Sequence, residues 1–159
     1  MFNIVQKIQT AVRYRTTYNA GILQAKSFRV LKSHTGLGLD PYDISTMEWA
    51  MLGLLRDNSS GLRSSVLAEE LGVEAPFITI LFSKLKKLGY VISNVDQKDS
   101  RAKIICATEK GKKFVENTEI ELRSHMQSLL EGISKKDLLS YLTVLEKIIE
   151  NDMKNQSLI

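Results

Sequence analysis

The stretch "LAEELGVEAPFITILFSKLKKLGY", residues 67–90, decides how the chain is read. A short segment stops at Gly72, a few residues turn, and a second periodic segment opens at Pro76 and closes at Gly89. Proline suits a first helical turn, where its missing N–H has no helical partner, and glycine suits the position just past the end. At 100° per residue, Ile78, Leu81, Phe82, Leu85 and Leu88 share one face of a helix over 76–88, a face that must pack on a core. Thr79, Ile80, Ser83, Lys84 and Lys87 share the opposite face, with Ala75 and Pro76 at its tip and Phe77 at the margin. Two helices joined by so short a turn predict a helix-turn-helix.

The flanks complete the architecture. Upstream, Ile4, Ile8, Ala11, Tyr18, Ile22 and Ala25 recur at helical steps, predicting a long amphipathic helix from 2 to about 33, which "HTGLGLDPYD" (34–43) should break. Ser45 and Glu48 form an S-x-x-E capping box for a helix ending at Asn58, and Ser64 or Ser65 is the expected cap of the short helix. Downstream, "YVISNV" and "AKIICA" flank the polar "DQKDSR" (96–101) as a β-hairpin. Thr108 caps a helix over about 109–130, and "GISKKD" interrupts it with a second capping pair, Ser134 and Asp137. A last helix runs to about 151 on the stripe Leu138, Leu142, Leu145 and Ile149. The expected fold is mainly α with a minor β part, a winged helix-turn-helix between N- and C-terminal helices.

Composition narrows the function. With 43% hydrophobic and 25% charged residues the 159-residue chain is too apolar for disorder and suits one globular domain. Its apolar runs are far short of the roughly 20 residues that cross a bilayer, so no membrane partner is expected. A secretory signal is not expected either. Cys106 is the single cysteine, which fits a reducing compartment and reads as an inert strand residue. His34 and His125 are too isolated for a metal site. No nucleophile, acid and base cluster and no glycine loop cradles a phosphate, so neither an enzyme nor a cofactor is expected. The net charge of +4 is uneven: residues 74–113 hold nine basic against four acidic residues, while 114–159 hold five against eight. A basic patch of that kind points to a polyanion at one face.

Double-stranded DNA is the expected polyanion. Ala75, Pro76, Thr79, Ile80, Ser83 and Lys84 are the major-groove candidates: Thr79 and Ser83 can hydrogen-bond base edges, and Ile80 and Ala75 can meet thymine methyl groups. Lys84 is also placed for phosphate, as are the backbone candidates Ser64, Lys87, Lys98 and Lys103. Arg101 at the hairpin tip suits a narrow minor groove, with Asp99 positioned to hold its guanidinium. The reading helix offers no Arg, Asn or Gln for a bidentate base contact, so AT-rich shape should carry much of the selectivity. The first 39 residues hold six bases and no acid, as a transit peptide or surface-binding helix does, but their apolar stripe suits packing against the C-terminal helices. Two long terminal helices expose more apolar stripe than one small chain can cover, which predicts a homodimer.

The ordered set of motifs resembles the MarR family of transcription regulators over almost the whole chain. Residues 44–52 with Trp49, "LAEELGV", "ILFSKLKKLGYV", and Asp96, Asp99 and Arg101 followed by "ATEKGKKF" (107–114) carry the resemblance. It implies a cytoplasmic homodimer whose helical dimerisation region comprises 1–38 and 113–159, around a DNA-binding region over 39–112. It also implies a repressor at a pseudo-palindromic operator, with helix 76–88 in the major groove and wing 94–103 in the minor groove. A small phenolic or lipophilic effector would release it from a cavity near Tyr14, Tyr18, His34 and Trp49. Ile80, Ser93, Asn94 and Ser100 stand where the family commonly carries basic or polar residues. They support an alternative in which base readout is degenerate and the protein acts by protein contact or heterodimerisation.

Overall fold

The computed structural model describes residues 18–96 and 102–156; Tyr14, Lys98, Asp99, Ser100 and Arg101 lie outside these, as does the first half of the expected N-terminal helix. The chain divides into two compact units, 1–126 and 127–159.

In the first unit, helix α1 spans Tyr18–Leu39. It does not break at 34 as expected. Gly36 and Gly38 stay helical, and the stop comes at a 3₁₀ turn, Asp40–Tyr42, with Pro41 inside it and Asp43 in the left-handed region beyond, at φ 53°. Packing explains the glycine: a Cβ on Gly38 would lie 2.5 Å from Leu122 Cδ2, so the missing side chain lets α1 approach the helix that carries Leu122. Helix α2, Thr46–Asp57, starts on the expected capping box: Glu48 N–H donates to Ser45 Oγ at 3.2 Å, and Ser45 N–H to Glu48 Oε2 at 2.7 Å.

A two-residue strand β1, Leu62–Arg63, then leads directly into helix α3, Ser64–Leu71. Arg63, not a serine, holds the N-cap position and makes no side-chain cap bond. The extended residue that pairs in the sheet is also the last before the helix, which puts Ser64 inside the first turn. Gly72 ends α3 at φ 63°, and α4 follows over Ala75–Lys87. Strands β2, Val91–Val95, and β3, Lys103–Ala107, form the hairpin. The sheet is antiparallel in the order β1-β3-β2, with Leu62 opposite Ile105 and Val91 opposite Ala107. Too short to show an alternating pattern, β1 leaves no trace in the sequence.

Helix α5, Glu109–Gln127, begins where "TEKG" predicts. Thr108 Oγ1 accepts from Gly111 N–H at 3.1 Å and donates to the Gly89 carbonyl at 2.8 Å, tying the helix start to the end of α4. A Cβ on Gly111 would overlap the Tyr90 carbonyl. The core joins Met51, Leu52 and Leu55 of α2, Leu67 of α3, Ile78, Leu81 and Leu85 of α4, Val91 and Ile105 of the sheet, and Val115 and Leu122 of α5.

The second unit holds a 3₁₀ turn, Ser128–Leu130, and helix α6, Lys135–Gln156. Asp137 N–H donates to Ser134 Oγ at 3.1 Å, the expected cap. The helix continues past the expected end near 151, because neither Gly nor Pro stops it there. Of its predicted stripe, Leu142 and Ile149 are exposed and Leu138 and Leu145 half-buried.

Two glycines should respond oppositely to substitution. Gly111→Ala is expected to destabilise by about 2 kcal/mol, because the overlap is with rigid backbone. Gly53→Ala, in α2 with open space around the added carbon, should be neutral or stabilise by about 0.5 kcal/mol. Urea unfolding of both variants measures the contrast.

Candidate nucleic-acid interface

The outward face of α4 is the centre of the site. Ile78, Leu81 and Leu85 are buried, while Phe82 and Leu88 are half-buried beside them, as the periodicity predicts. That leaves Ala75, Pro76, Thr79, Ile80, Ser83 and Lys87 exposed, Ile80 to 64%. Local bonds limit what this face can offer. Ser83 Oγ donates its proton to the Thr79 carbonyl at 2.7 Å, so it presents lone pairs outward more readily than a donor.

The lysines at the end of α4 do different things. Lys84 is half-buried and turns inward, its Nζ 3.2 Å from Asp43 Oδ2 and 3.4 Å from Glu48 Oε2. Glu48 is only 6% exposed, so its carboxylate both caps α2 and faces this ammonium. Burial works to lower the Lys84 pKa, but its bonds and charge attraction to Asp43 and Glu48 outweigh that and raise it above 10.5. Lys86 lies over the Phe82 ring, 5.7 Å from its centroid. Lys87 stays exposed.

The wing stem stands beside this helix. Its last sheet pair is Val95 with Lys103, and Asp96 N–H donates to the Ala102 carbonyl at 2.9 Å just beyond it. Lys103 is exposed and Ser64 half-buried. Arg63, which nothing in the sequence singled out, reaches the stem: its Nε donates to Asp96 Oδ2 at 2.8 Å, and its Nη2 pairs with the same oxygen. The available clue was a basic residue where a capping side chain would be usual. Cys106 lies behind the stem, its Sγ 3.9 Å from the Ser60 carbonyl and 4.0 Å from Asn94 Nδ2.

Of the candidate effector residues, Tyr18, His34 and Trp49 are described. Tyr18 and His34 sit on one continuous helix, about 24 Å apart along its axis at 1.5 Å per residue. Tyr18 is 73% exposed and His34 half-buried. Trp49 is half-buried in α2, and its Nε1 donates to Thr118 Oγ1 at 2.9 Å. Thr118 in turn donates to the Phe114 carbonyl, so the indole is part of the core's hydrogen bonding. Among the described residues no group of His, Cys, Asp and Glu is arranged to hold a metal ion. No described helix is long and apolar enough to cross a membrane.

A helix-turn-helix whose second helix is followed by a β-hairpin, with a short strand before its first helix completing the sheet and long terminal helices at either end of the chain, is also the fold of solved MarR-family transcriptional regulators, which superpose on it. No protein-family model matches the sequence. A MarR transcriptional regulator from Methanosarcina mazei Go1 is 23% identical, with a TM-score of 0.74 over 87% of this chain and 99% of its own. CouR from Rhodococcus jostii RHA1, bound to p-coumaroyl-CoA, is 22% identical, with a TM-score of 0.76 over 82% of this chain and 91% of its own. MepR from Staphylococcus aureus, in a complex with DNA, is 23% identical, with a TM-score of 0.70 over 82% of this chain and 96% of its own. At such identities the likeness is one of fold, and the winged-helix expectation is met.

The inward turn of Lys84 is measurable. Lys84→Ala should cost about 1 kcal/mol of stability, a value reduced by the lysine's partial solvation, because it strips a cation from buried Glu48. Lys87→Ala should leave stability unchanged. Since the Lys84 pKa is raised in the fold, its contribution is complete at pH values below 10.5 and fades only as pH climbs through the raised value. Thermal unfolding of both variants at neutral pH checks the difference.

Proposed function

We propose that the chain is a homodimeric, sequence-selective DNA-binding transcriptional regulator of the cytoplasm, acting as a repressor that occludes a promoter at a pseudo-palindromic operator. One observation carries the reading: α4 of a winged helix-turn-helix buries Ile78, Leu81 and Leu85 and turns Ala75, Pro76, Thr79, Ile80 and Ser83 outward. These five face the major groove, with Lys87, Ser64, Lys98 and Lys103 on the phosphates. Arg101, oriented by Asp99, enters the minor groove. Lys84 remains with its carboxylates and braces the helix from behind. That MepR, which shares the fold, is solved in a complex with DNA supports DNA as the partner.

Dimerisation rests on exposed carbon. Ile22, Phe28 and Leu37 on α1, and Leu142, Ile148 and Ile149 on α6, are large apolar residues open to water. A second copy covers such stripes and sets two reading helices about one DNA turn, roughly 34 Å, apart. Residues 1–38 and 113–159 then form the dimerisation region around the DNA-binding region 39–112. A small phenolic or lipophilic effector shifts the spacing of the two helices and lowers affinity; the phenol carried by the p-coumaroyl-CoA bound to CouR supports a ligand of phenolic chemistry. Trp49 or His34, rather than Tyr18 and His34 together, borders its cavity.

The second reading, degenerate readout with action by heterodimerisation, is favoured by the exposed Ile80 and the internal bonds of Ser83 and Lys84. A mobility-shift titration across salt decides between them, using a duplex selected from random sequence against random duplex. The regulator reading expects a preference on the order of 1,000-fold, and equal affinity for both duplexes would sink it. Arg101→Ala should weaken binding and reduce the slope of log affinity against log salt by roughly one. Sedimentation should show a dimer at micromolar concentration.

A further inference from the structure

We infer that Arg63 is a positioning residue for DNA binding: through Asp96 it locks the wing stem to the first helix of the helix-turn-helix, so that wing and reading helix are held in one frame. This goes beyond the regulator reading, and its consequence for affinity rests on that reading.

The arrangement is anchored at both ends. The Arg63 backbone is extended, pairs with Ile104 of β3 and hands directly into α3 as its N-cap. Behind it Gly61, at φ 77°, lies flat on β3: a Cβ there would come within 2.5 Å of Ile104 Cγ2 and of Cys106 Sγ. The base of the side chain therefore cannot drift. At the other end Asp96 is buried to 7% exposure, and its own N–H closes the wing stem on Ala102. Both Arg63 Nε and Nη2 converge on Asp96 Oδ2.

Chemistry explains the residue type. A side chain at a helix N-cap normally accepts from the helix's first N–H groups, and Arg63 accepts none. A planar guanidinium instead presents two donors in a fixed fork, whereas the ammonium of a lysine would give a single swivelling contact. The loss of a cap is thus exchanged for a strut between β1 and the wing. Helix α3 leads through Gly72 into α4, so a wing fixed to the start of α3 is fixed relative to the reading face. DNA is contacted by both elements at once, and each must arrive without searching for its register.

Hydrogen exchange on the full-length protein without DNA tests the strut. In Arg63→Ala the amide of Asp96 should exchange faster while buried amides of α4 hold; unchanged exchange at Asp96 overturns the proposal. The selected duplex then reads the consequence. Arg63→Ala should weaken binding by about tenfold, the scale of losing one or two phosphate contacts. Asp96→Asn should weaken binding at least as much, and adding Arg63→Ala to it should cost nothing further, as residues acting through one bond are not additive. Arg63→Lys should recover only part of the loss. Additive effects would make Arg63 a DNA contact in its own right and overturn the positioning role. Full affinity despite a loosened stem would also overturn it. Failure of wild type to select any duplex is a different result: it removes the regulator reading while the exchange result still decides the strut.

Discussion

Three side chains of α4, Ile78, Leu81 and Leu85, leave water for the same cluster as Met51, Leu52, Leu55 and Leu67, and the orientation of the helix follows from that burial. Each fully buried aliphatic side chain is stabilised by about 1.5–3 kcal/mol. Turning α4 by one residue step would expose this row and push Thr79 or Ile80 into its place, with nothing on the outer face to compensate. The outward surface of α4 is therefore what the core leaves over. Its exposed Ile80 is tolerated because the opposite face holds the helix so firmly.

Electrostatics then act within that frame. The basic character of residues 74–113 is not the same as charge presented to a polyanion. Lys84 is engaged by Asp43 and Glu48, Lys112 by Glu109, and Lys110 by the Leu88 carbonyl and the Tyr90 ring. Several of the lysines counted in the sequence thus brace helices and turns. What remains outward near α4 is a mostly uncharged face edged by Lys87, and the wing becomes correspondingly important. In the proposed complex, a wing held at its stem by Arg63 and Asp96 would meet the duplex in register with α4.

Much of the architecture was legible because its determinants lie within a turn or two of one another. The Ser45–Glu48 box, the Thr108 and Ser134 caps, the stop at Gly72 and the buried face of α4 all follow from spacings of three or four residues. The hairpin was visible from its β-branched runs. Local pattern misleads where a residue's role depends on a distant partner. Gly36 and Gly38 look like breakers, yet Gly38 is where Leu122 packs against α1. Ser64 looks like a cap, yet pairing of Arg63 with Ile104 moves the helix start. Lys84 sits on the outer face of a helical wheel, but a lysine stem is long enough to curl back to Glu48.

By itself the sequence determined the order of the long helices and of the hairpin, the Ser45, Thr108 and Ser134 caps, and which face of α4 is apolar, since periodicity and capping are short-range chemistry. Only the tertiary structure decided which cations face outward, that a two-residue strand completes the sheet, and that Arg63 meets Asp96 across 33 positions of chain. The separation of Tyr18 from His34 along a continuous α1, and the bond of the Trp49 indole to Thr118, 69 positions away, belong to the same category. Such pairings carry no periodic signal. They exist because a packed core brings distant segments within bonding distance, and no local pattern encodes which ones will meet.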